Sequence, residues 1–310
     1  ELMLAARLVQ GFGAAAAIVL SRAIVRDIAS GKEAAKLMSV MTMIFTAAPV
    51  IAPSIGALLV TQWGWRASFI VIAIGGMLMI GGIRTSLTET HTPKNNGHPI
   101  QQLLSSFAEF FSHRQSIFGL LLIILPPAGF MSVITVSAAL TVEIYGYSLR
   151  AFGLIFACAG LSILAGSFVN RMLVAKFDLM QLIAFGVILI GASGAQLLVI
   201  AAIGHAPFWW LWGCVCLFMF SIGILLPNAM VLALDPLPKI AGVASSIIGT
   251  IQNVLGAAGA IGGAMLYNGS VRNTIIVMGS IGALTVVILV LRPLIVTGPI
   301  YHHPDELARD

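Results

Sequence analysis

Residues 181–203, QLIAFGVILIGASGAQLLVIAAI, contain no charged side chain. The run is as long as the roughly 20 residues that a helix needs to cross the hydrocarbon core of a bilayer. Similar apolar runs recur along the chain of 310 residues, of which 59% are hydrophobic and 9% are charged. A soluble domain carries about 25% charged residues, and a membrane β-barrel would show alternating segments of roughly 10 residues. The sequence therefore predicts an all-α polytopic membrane protein.

The polar residue types show no arrangement typical of an enzyme or of a nucleic-acid-binding protein. The net charge of +5 comes from basic residues that are scattered singly between apolar runs. Cys158, Cys214 and Cys216 lie inside apolar runs, which disfavours both a disulfide framework and a thiolate metal site. No phosphate-binding glycine loop is present in the sequence. We therefore expect no enzymatic activity, no cofactor, no metal and no nucleic-acid partner.

Nine membrane spans are predicted, with one long polar connection after the third. They cover approximately residues 2–21, 38–60, 66–84, 117–142, 152–172, 181–203, 207–229, 240–266 and 273–292. The connection from 85 to 115 contains Pro93 and Asn96, which favour a linker, and a short amphipathic helix is predicted over 105–111. The predicted domains are thus residues 1–84, the linker 85–115, and residues 116–310 with a short tail.

The placement of lysine and arginine predicts the orientation of the spans. One set of connections holds twelve of them, namely Arg22, Arg26, Lys32, Lys36, Arg84, Lys94, Arg114, Arg171, Lys176, Lys239, Arg292 and Arg309. The opposite set holds Arg66, Arg150 and Arg272. Because cytoplasmic connections are enriched in lysine and arginine, the linker and the C-terminal tail are predicted to be cytoplasmic. The first span then runs inward, and we expect three further spans upstream, so that six would lie on each side of the linker.

Arg7 is the basic residue that the span prediction places inside the membrane. Arg7, Gln10 and Gly11 are spaced i, i+3, i+4 and so share one helix face. A charge at the bilayer centre costs at least about 2.5–3.5 kcal/mol and marks a functional candidate. The structural alternative is an Arg7 that extends to the outer surface. We predict that these three residues form a transport and proton network, and that the coupling carboxylate lies outside this chain.

Two predicted spans carry a stripe of proline or small residues at spacing i, i+4, i+7. The stripes are Pro49, Pro53 and Gly56 in the second span, and Gly153, Ala157 and Gly160 in the fifth. Proline kinks a helix by removing a backbone hydrogen bond, and small residues let two helices approach closely. We interpret both stripes as gating and packing elements, with ordinary helix packing as the alternative.

The seventh span ends near Pro227 and Asn228. We predict that Pro227 breaks the helix there and that Asn228 satisfies the freed backbone groups. A gate and a simple helix end are both compatible with this pattern.

Polar residues in the fourth and eighth spans are candidates for lining a substrate path. They are Ser137 and Thr141 in the fourth span and Gln252 and Asn253 in the eighth. The alternative for the hydroxyls is a hydrogen bond to their own helix backbone. The eighth span also carries a small-residue stripe, for which packing is the favoured role: Gly242, Ser246, Gly249, Asn253, Gly256, Ala260 and Gly263.

In this order, the motifs resemble those of a known family. Residues 7–13, RLVQGFG, resemble the fourth-helix arginine motif of major facilitator drug:proton antiporters, and residues 49–56, PVIAPSIG, resemble their fifth-helix motif. Other segments resemble the bicyclomycin/chloramphenicol-resistance (Bcr/CflA) branch: Arg26-Asp27 with 31–35 (GKEAA), 152–156 (FGLIF), 226–229 (LPNA) and 241–246 (AGVASS). The resemblance implies a major facilitator fold of twelve helices in two halves, of which helices four to twelve are present here. It also implies export of small antimicrobials in exchange for protons.

We therefore predict a proton-coupled secondary transporter that exports small-molecule drugs across the bacterial inner membrane and so confers antibiotic resistance. The expected partners are the small-molecule substrate, protons and the lipid bilayer, and the protein is predicted to be monomeric. One alternative is a metabolite exporter of the same superfamily, with a sugar or an amino acid as substrate. Another is a non-transporting fragment that lacks helices one to three.

Overall fold

The computed structural model describes residues 2–28, 55–86 and 99–296, together with the isolated positions 37, 41, 51 and 52. Regular structure in these ranges is helical throughout. The chain divides into two compact units. The first unit contains helix α1 (Leu2–Ile28) and helix α2 (Arg66–Ser86). Residues 55–63 are also helical.

The second unit contains the remaining helices. They are α3 (Pro99–Ser112), α4 (Arg114–Ala139), α5 (Leu149–Leu173), α6 (Leu179–Ile203), α7 (Phe208–Leu234), α8 (Ala241–Leu266), α9 (Val271–Val290) and α10 (Arg292–Ile295). A π-helical turn, Leu140–Ile144, extends α4, and a 3₁₀ turn, Pro238–Ile240, precedes α8.

The described residues contain seven helices that are long and apolar enough to cross a membrane, where the sequence predicts nine spans. These seven are α2, α4 with its π-helical turn, and α5 to α9. Of the other two predictions, the span 2–21 falls in α1, whose apolar part is Leu2–Ala17. The span 38–60 lies mostly outside the described residues. The helical class is confirmed, and the count of nine is not.

Local signals set the ends of several helices within a few residues of the prediction. The Ser148 hydroxyl accepts a hydrogen bond from the Ala151 backbone N–H and so caps α5, and Ser270 does the same for Asn273 at the start of α9. Helix α6 ends at Gly204, whose φ of +86° is the left-handed conformation that favours glycine. Serine caps therefore mark where α5 and α9 begin, and a glycine marks where α6 ends, at positions that the apolar pattern alone does not define.

In the second unit, α4 packs against α7, α8 and α9, while α7 also packs against α5 and α6. The core between them is apolar, with Phe118, Leu122, Ile190 and Phe218 almost completely buried. Helices α4 and α8 approach most closely where Gly259 and Gly263 face the backbone of Ala128 and Ser132. A side chain at either glycine would collide with a main-chain carbonyl, so this contact requires glycine.

The small-residue stripe predicted on α8 coincides only partly with this contact. Gly256 and Gly263 are buried, but Gly242 is exposed and a Cβ at Gly249 would meet no described atom within 4 Å. Gly259, which is not in the predicted stripe, approaches α4 as closely as Gly263 does. In the second half of α8, the face that packs against α4 therefore includes Gly259 and is rotated away from the predicted stripe.

Candidate functional site

Arg7 lies in α1 and has two partners among the described residues of the first unit. Its Nη1 donates a hydrogen bond to Oε1 of Gln10 at 2.7 Å, as the i, i+3 spacing predicts. Its Cζ lies 4.5 Å from the ring centre of Phe69 in α2. A cation–π contact of this kind contributes about 0.5–1 kcal/mol when exposed and about 2 kcal/mol when desolvated. The guanidinium is thus held by the predicted amide and by an aromatic ring that the sequence did not identify.

An open pocket of about 630 Å³ lies beside this group, between α1 and the start of α2. Its lining is Leu2, Met3, Ala6, Arg7, Gln10, Trp65, Phe69, Ile72 and Ala73. The rings of Trp65 and Phe69 meet edge to face, with 5.7 Å between their centres. Ligand pockets typically measure about 300–1,000 Å³ and combine an apolar lining with a few polar groups. This pocket has that composition, with Arg7 as its charged group.

The chemistry of the lining favours a ligand with an aromatic or apolar body and an acceptor group. Trp65 and Phe69 offer ring faces and edges for stacking. Arg7 carries N–H donors in a planar fork, suited to a carbonyl, a phenolate or a carboxylate. Gly11, the third residue of the predicted network, is exposed, and a Cβ there would meet no described atom within 4 Å. Two of the three predicted residues therefore share this pocket.

The proline stripe of the second predicted span is described only at its end. Pro49 and Pro53 lie outside the described residues. Gly56 is half-buried in the helical segment 55–63, and a Cβ there would meet no described atom within 4 Å. The gating role of this stripe stays a prediction.

On α5, Gly153 and Gly160 are buried and Ala157 is half-buried. The closest approach of α5 to α7 lies further along the helix. There Gly166 faces the carbonyl of Phe220, and Gly223 of α7 faces the backbone at Ile163 and Ser167. The two glycines lie on different helices, so residue spacing within one helix does not predict this close crossing.

The prediction that Pro227 breaks the seventh span is wrong. Pro227 lies inside α7, which continues to Leu234. Asn228 is buried, and its Nδ2 donates to Oδ1 of Asn170 in α5 at 2.6 Å and to the Ile224 carbonyl at 2.7 Å. Packing on α5 and the Asn170–Asn228 bond stabilise a helix in which Pro227 removes one backbone donor.

The four candidate lining residues fall into two groups. Ser137 and Thr141 are buried, and their hydroxyls donate to the carbonyls of Ile134 and Ser137, both at 2.7 Å. These bonds match the alternative of hydroxyls bonded to their own helix. Gln252 is half-buried and Asn253 is exposed on α8. The substrate-lining role of all four stays a prediction.

Sequence reasoning missed two irregular features of α4. Pro126 and Pro127 are consecutive prolines in the middle of the helix, beside the backbone that contacts Gly259. The π-helical turn Leu140–Ile144 closes with a hydrogen bond from the Tyr145 backbone N–H to the Leu140 carbonyl. The prolines were visible in the sequence, whereas no residue pattern marked the π-helical turn.

At the end of this turn, two tyrosines bond to neighbouring segments. The Tyr145 hydroxyl donates to the Ala206 carbonyl at 2.9 Å, and burial raises the pKa of Tyr145. The Tyr267 hydroxyl donates to Oε2 of Glu143 at 3.1 Å. Desolvation, and then the bond to Glu143 and its charge, raise the pKa of Tyr267. Both hydroxyls therefore keep their protons and donate at neutral pH.

Comparison with known proteins decides the family. The sequence profile described as Major Facilitator Superfamily matches residues 1–260. The chain belongs to the major facilitator superfamily. Members of this superfamily are transporters rather than enzymes.

Two relatives of this major facilitator protein agree with the resemblance to the bicyclomycin-resistance branch. A bicyclomycin resistance protein homolog of Haemophilus influenzae is 30% identical over 255 residues, which are 82% of this chain and 64% of the relative. The multidrug resistance protein MdtL of Shewanella oneidensis is 31% identical over 293 residues, 94% of this chain and 72% of the relative. The predicted family and branch are confirmed. The chain spans somewhat less than two thirds of the length of the Haemophilus relative.

Solved structures show the same fold for this major facilitator chain. A bacterial homolog of the human lysosomal transporter Spinster, in an inward-facing and unoccupied conformation, has a TM-score of 0.60 at 14% identity, over 89% of this chain and 72% of the homolog. A bacterial homologue of the iron transporter ferroportin, in an inward-facing state, has a TM-score of 0.55 at 16% identity, over 86% of this chain and 65% of the homologue. With its apolar helices, the chain is a multi-pass membrane protein.

Proposed function

We propose that the protein exports small-molecule drugs across the bacterial inner membrane in exchange for protons, with its C-terminus in the cytoplasm and as a monomer. The observation that carries the proposal is the pocket beside Arg7, in which a cation, an amide and two aromatic rings converge. The bicyclomycin-resistance and multidrug-resistance names of the relatives support drugs as the substrate class.

In this proposal Arg7 acts as a fixed positive charge. Arginine is not deprotonated in proteins, so Arg7 cannot itself carry the exchanged proton. A positive charge favours the ionised form of a carboxyl group brought within about 4–6 Å. A carboxyl that approaches Arg7 releases its proton, and one that moves away binds it again. Arg7 would couple proton release to the conformation of the first unit in this way.

The aromatic rings supply the drug-binding part of the proposal. Trp65 and Phe69 lie one helical turn apart at the start of α2, so one flat ligand reaches both rings. Gln10 offers an amide one turn from Arg7, and this polar pair fixes one end of a ligand whose other end packs on Leu2 and Ile72. Apolar surface then supplies affinity, and two polar side chains supply orientation.

A matched pair of arginine variants tests the proposal. Arg7 lines the pocket, whereas Arg66 does not, although its Cζ lies 4.7 Å from the ring centre of Trp65. We expect cells that express the complete gene to export a fluorescent aromatic drug as long as the proton gradient is intact. Arg7→Ala should abolish this export, and Arg66→Ala should retain most of it.

Each outcome of this experiment has a distinct meaning. Export that persists in Arg7→Ala at normal expression level would make Arg7 structural and contradict the proposed network. Export that survives collapse of the proton gradient would contradict proton coupling. If the unmodified protein moves no tested drug, the metabolite exporter becomes the leading function.

A further inference from the structure

Helix α3, Pro99–Ser112, joins the second unit at the end where α4 begins. Only His113 separates α3 from α4, and its extended backbone (φ −91°, ψ 108°) breaks the helix. Helix α4 is an apolar helix long enough to cross a membrane, and it begins at Arg114. Because α3 ends one residue before this span, the C-terminal end of α3 lies close to where the span would enter the membrane.

One face of α3 holds the helix against the bundle. Phe110 is completely buried and Ser106, one turn earlier, is 9% exposed. The ring of Phe110 also meets that of Phe111 edge to face, with 5.2 Å between their centres. Helix α3 packs against both α4 and α8. The helix is therefore fixed to the second unit and not suspended in the linker.

A second face of α3 is apolar and exposed. Leu103, Phe107 and Phe111 are four residues apart and share one side of the helix, and Leu104 lies next to them. Their exposed fractions are 47%, 41%, 45% and 64% respectively. We call these four residues the outer apolar face. It adjoins the buried face of Ser106 and Phe110, as the 3.6-residue helical period requires.

The third face of α3 is polar. Ser105, Glu109 and Ser112 are exposed and lie on the side away from Phe107. Around the helix, the face that packs on the bundle is thus followed by the outer apolar face and then by the polar face. A helix that only bridged two domains in water would not need four large apolar side chains next to the face that packs on the bundle.

The charges at this end of the bundle match an anionic surface. Consecutive spans run in opposite directions, so the start of α4, the end of α5 and the start of α6 lie on one side. Arg114, Arg171 and Lys176 belong to these ends, together with one acidic residue, Asp178, so basic residues are in excess there. Basic residues close to a membrane surface attract anionic lipid headgroups. Glu109 lies on the polar face of α3, away from the apolar side chains that would enter the lipid.

We propose that α3 is an interfacial helix whose outer apolar face inserts into a leaflet that contains anionic lipids. The helix lies along the membrane surface, with Leu104 and Phe107 among the acyl chains and Glu109 in water. It thereby anchors the connection between the two units to the bilayer at the start of α4. The partner is the lipid surface itself, and the proposal is independent of the transported substrate.

The test uses an environment-sensitive fluorophore at single cysteines in the complete protein, with Cys158, Cys214 and Cys216 replaced by alanine. The labelled variants are Leu104→Cys and Phe107→Cys on the outer apolar face. The matched control is Glu109→Cys on the opposite, polar face, two residues from position 107. The protein is reconstituted in vesicles of phosphatidylethanolamine and phosphatidylglycerol. We expect the labels at 104 and 107 to emit at shorter wavelength and to be quenched by doxyl-labelled lipid. The label at 109 should be quenched by aqueous iodide instead.

Two results would overturn the proposal. Iodide quenching at all three positions would place the face in water. Protection of positions 104 and 107 from both quenchers would show that protein covers the face. Two positions are used because a label at one of them can disturb folding, and the size-exclusion profile of each labelled variant identifies such a case.

Discussion

Replacing Gly259 by alanine tests the close contact between α4 and α8. An ideal Cβ at Gly259 would lie 2.8 Å from the carbonyl carbon of Ala128 and would overlap its oxygen. Gly262 lies on the same helix, and a Cβ there would meet no described atom within 4 Å. Alanine gains about 1 kcal/mol over glycine in a helix interior, and this gain cancels between the two variants. Overpacking costs about 1–3 kcal/mol, so Gly259→Ala should be less stable than Gly262→Ala by that amount.

The assay is the temperature at which the detergent-solubilised protein is lost from its size-exclusion peak, followed through a fluorescent fusion. One kcal/mol shifts the melting temperature by about 2–4 °C in chains of 150–250 residues. Because this chain is longer and the shift per kcal/mol falls with size, the melting temperature of Gly259→Ala should be below that of Gly262→Ala by up to about 12 °C. Equal melting temperatures, or a more stable Gly259→Ala, would refute the backbone contact with Ala128.

Three further predictions concern single contacts. Asn170→Ala and Asn228→Ala should each destabilise the protein. A double-mutant cycle on this pair should give a coupling energy of about 0.6 kcal/mol, and at most about 1.7 kcal/mol. A coupling energy of zero would contradict their 2.6 Å bond. Glu143→Gln should lower the pKa of Tyr267 without returning it to its ordinary value of 10.0, because desolvation is the larger cause of the shift. An ultraviolet titration with Tyr267→Phe as reference measures this pKa. An unchanged or higher pKa in Glu143→Gln would contradict the prediction. Phe69→Ala should raise the drug concentration for half-maximal export, since it removes an exposed cation–π contact of about 0.5–1 kcal/mol. The control is Phe69→Tyr, and equal concentrations for the two variants would argue against the contact.

The helices were predictable because their signals are local. The charge-free run 181–203 predicts α6 to within two residues of its observed bounds, Leu179–Ile203. Helix ends are marked by short-range groups such as Ser148 and Gly204. The contact between Arg7 and Gln10 was equally predictable, because residues three apart on a helix are neighbours.

The contacts between helices were not predictable in the same way. Phe69 is distant from Arg7 in the sequence, and nothing in either segment specifies that they meet. On α8, small residues occupy more than one face, so spacing alone could not distinguish Gly259 from Gly249. Pro227 illustrates a related limit. Its local effect is to end a helix, but a membrane helix that packs against several neighbours, as α7 does, tolerates a proline.

The central claim, that Arg7 serves proton-coupled drug export, is tested most directly in proteoliposomes. The purified complete protein and its Arg7→Ala variant are reconstituted, and drug movement is followed after a pH gradient is imposed. The account predicts drug movement against its concentration gradient in the unmodified protein, none without the pH gradient, and none in Arg7→Ala. Equal gradient-driven movement in both proteins would contradict the role of Arg7, and movement that ignores the pH gradient would contradict proton coupling.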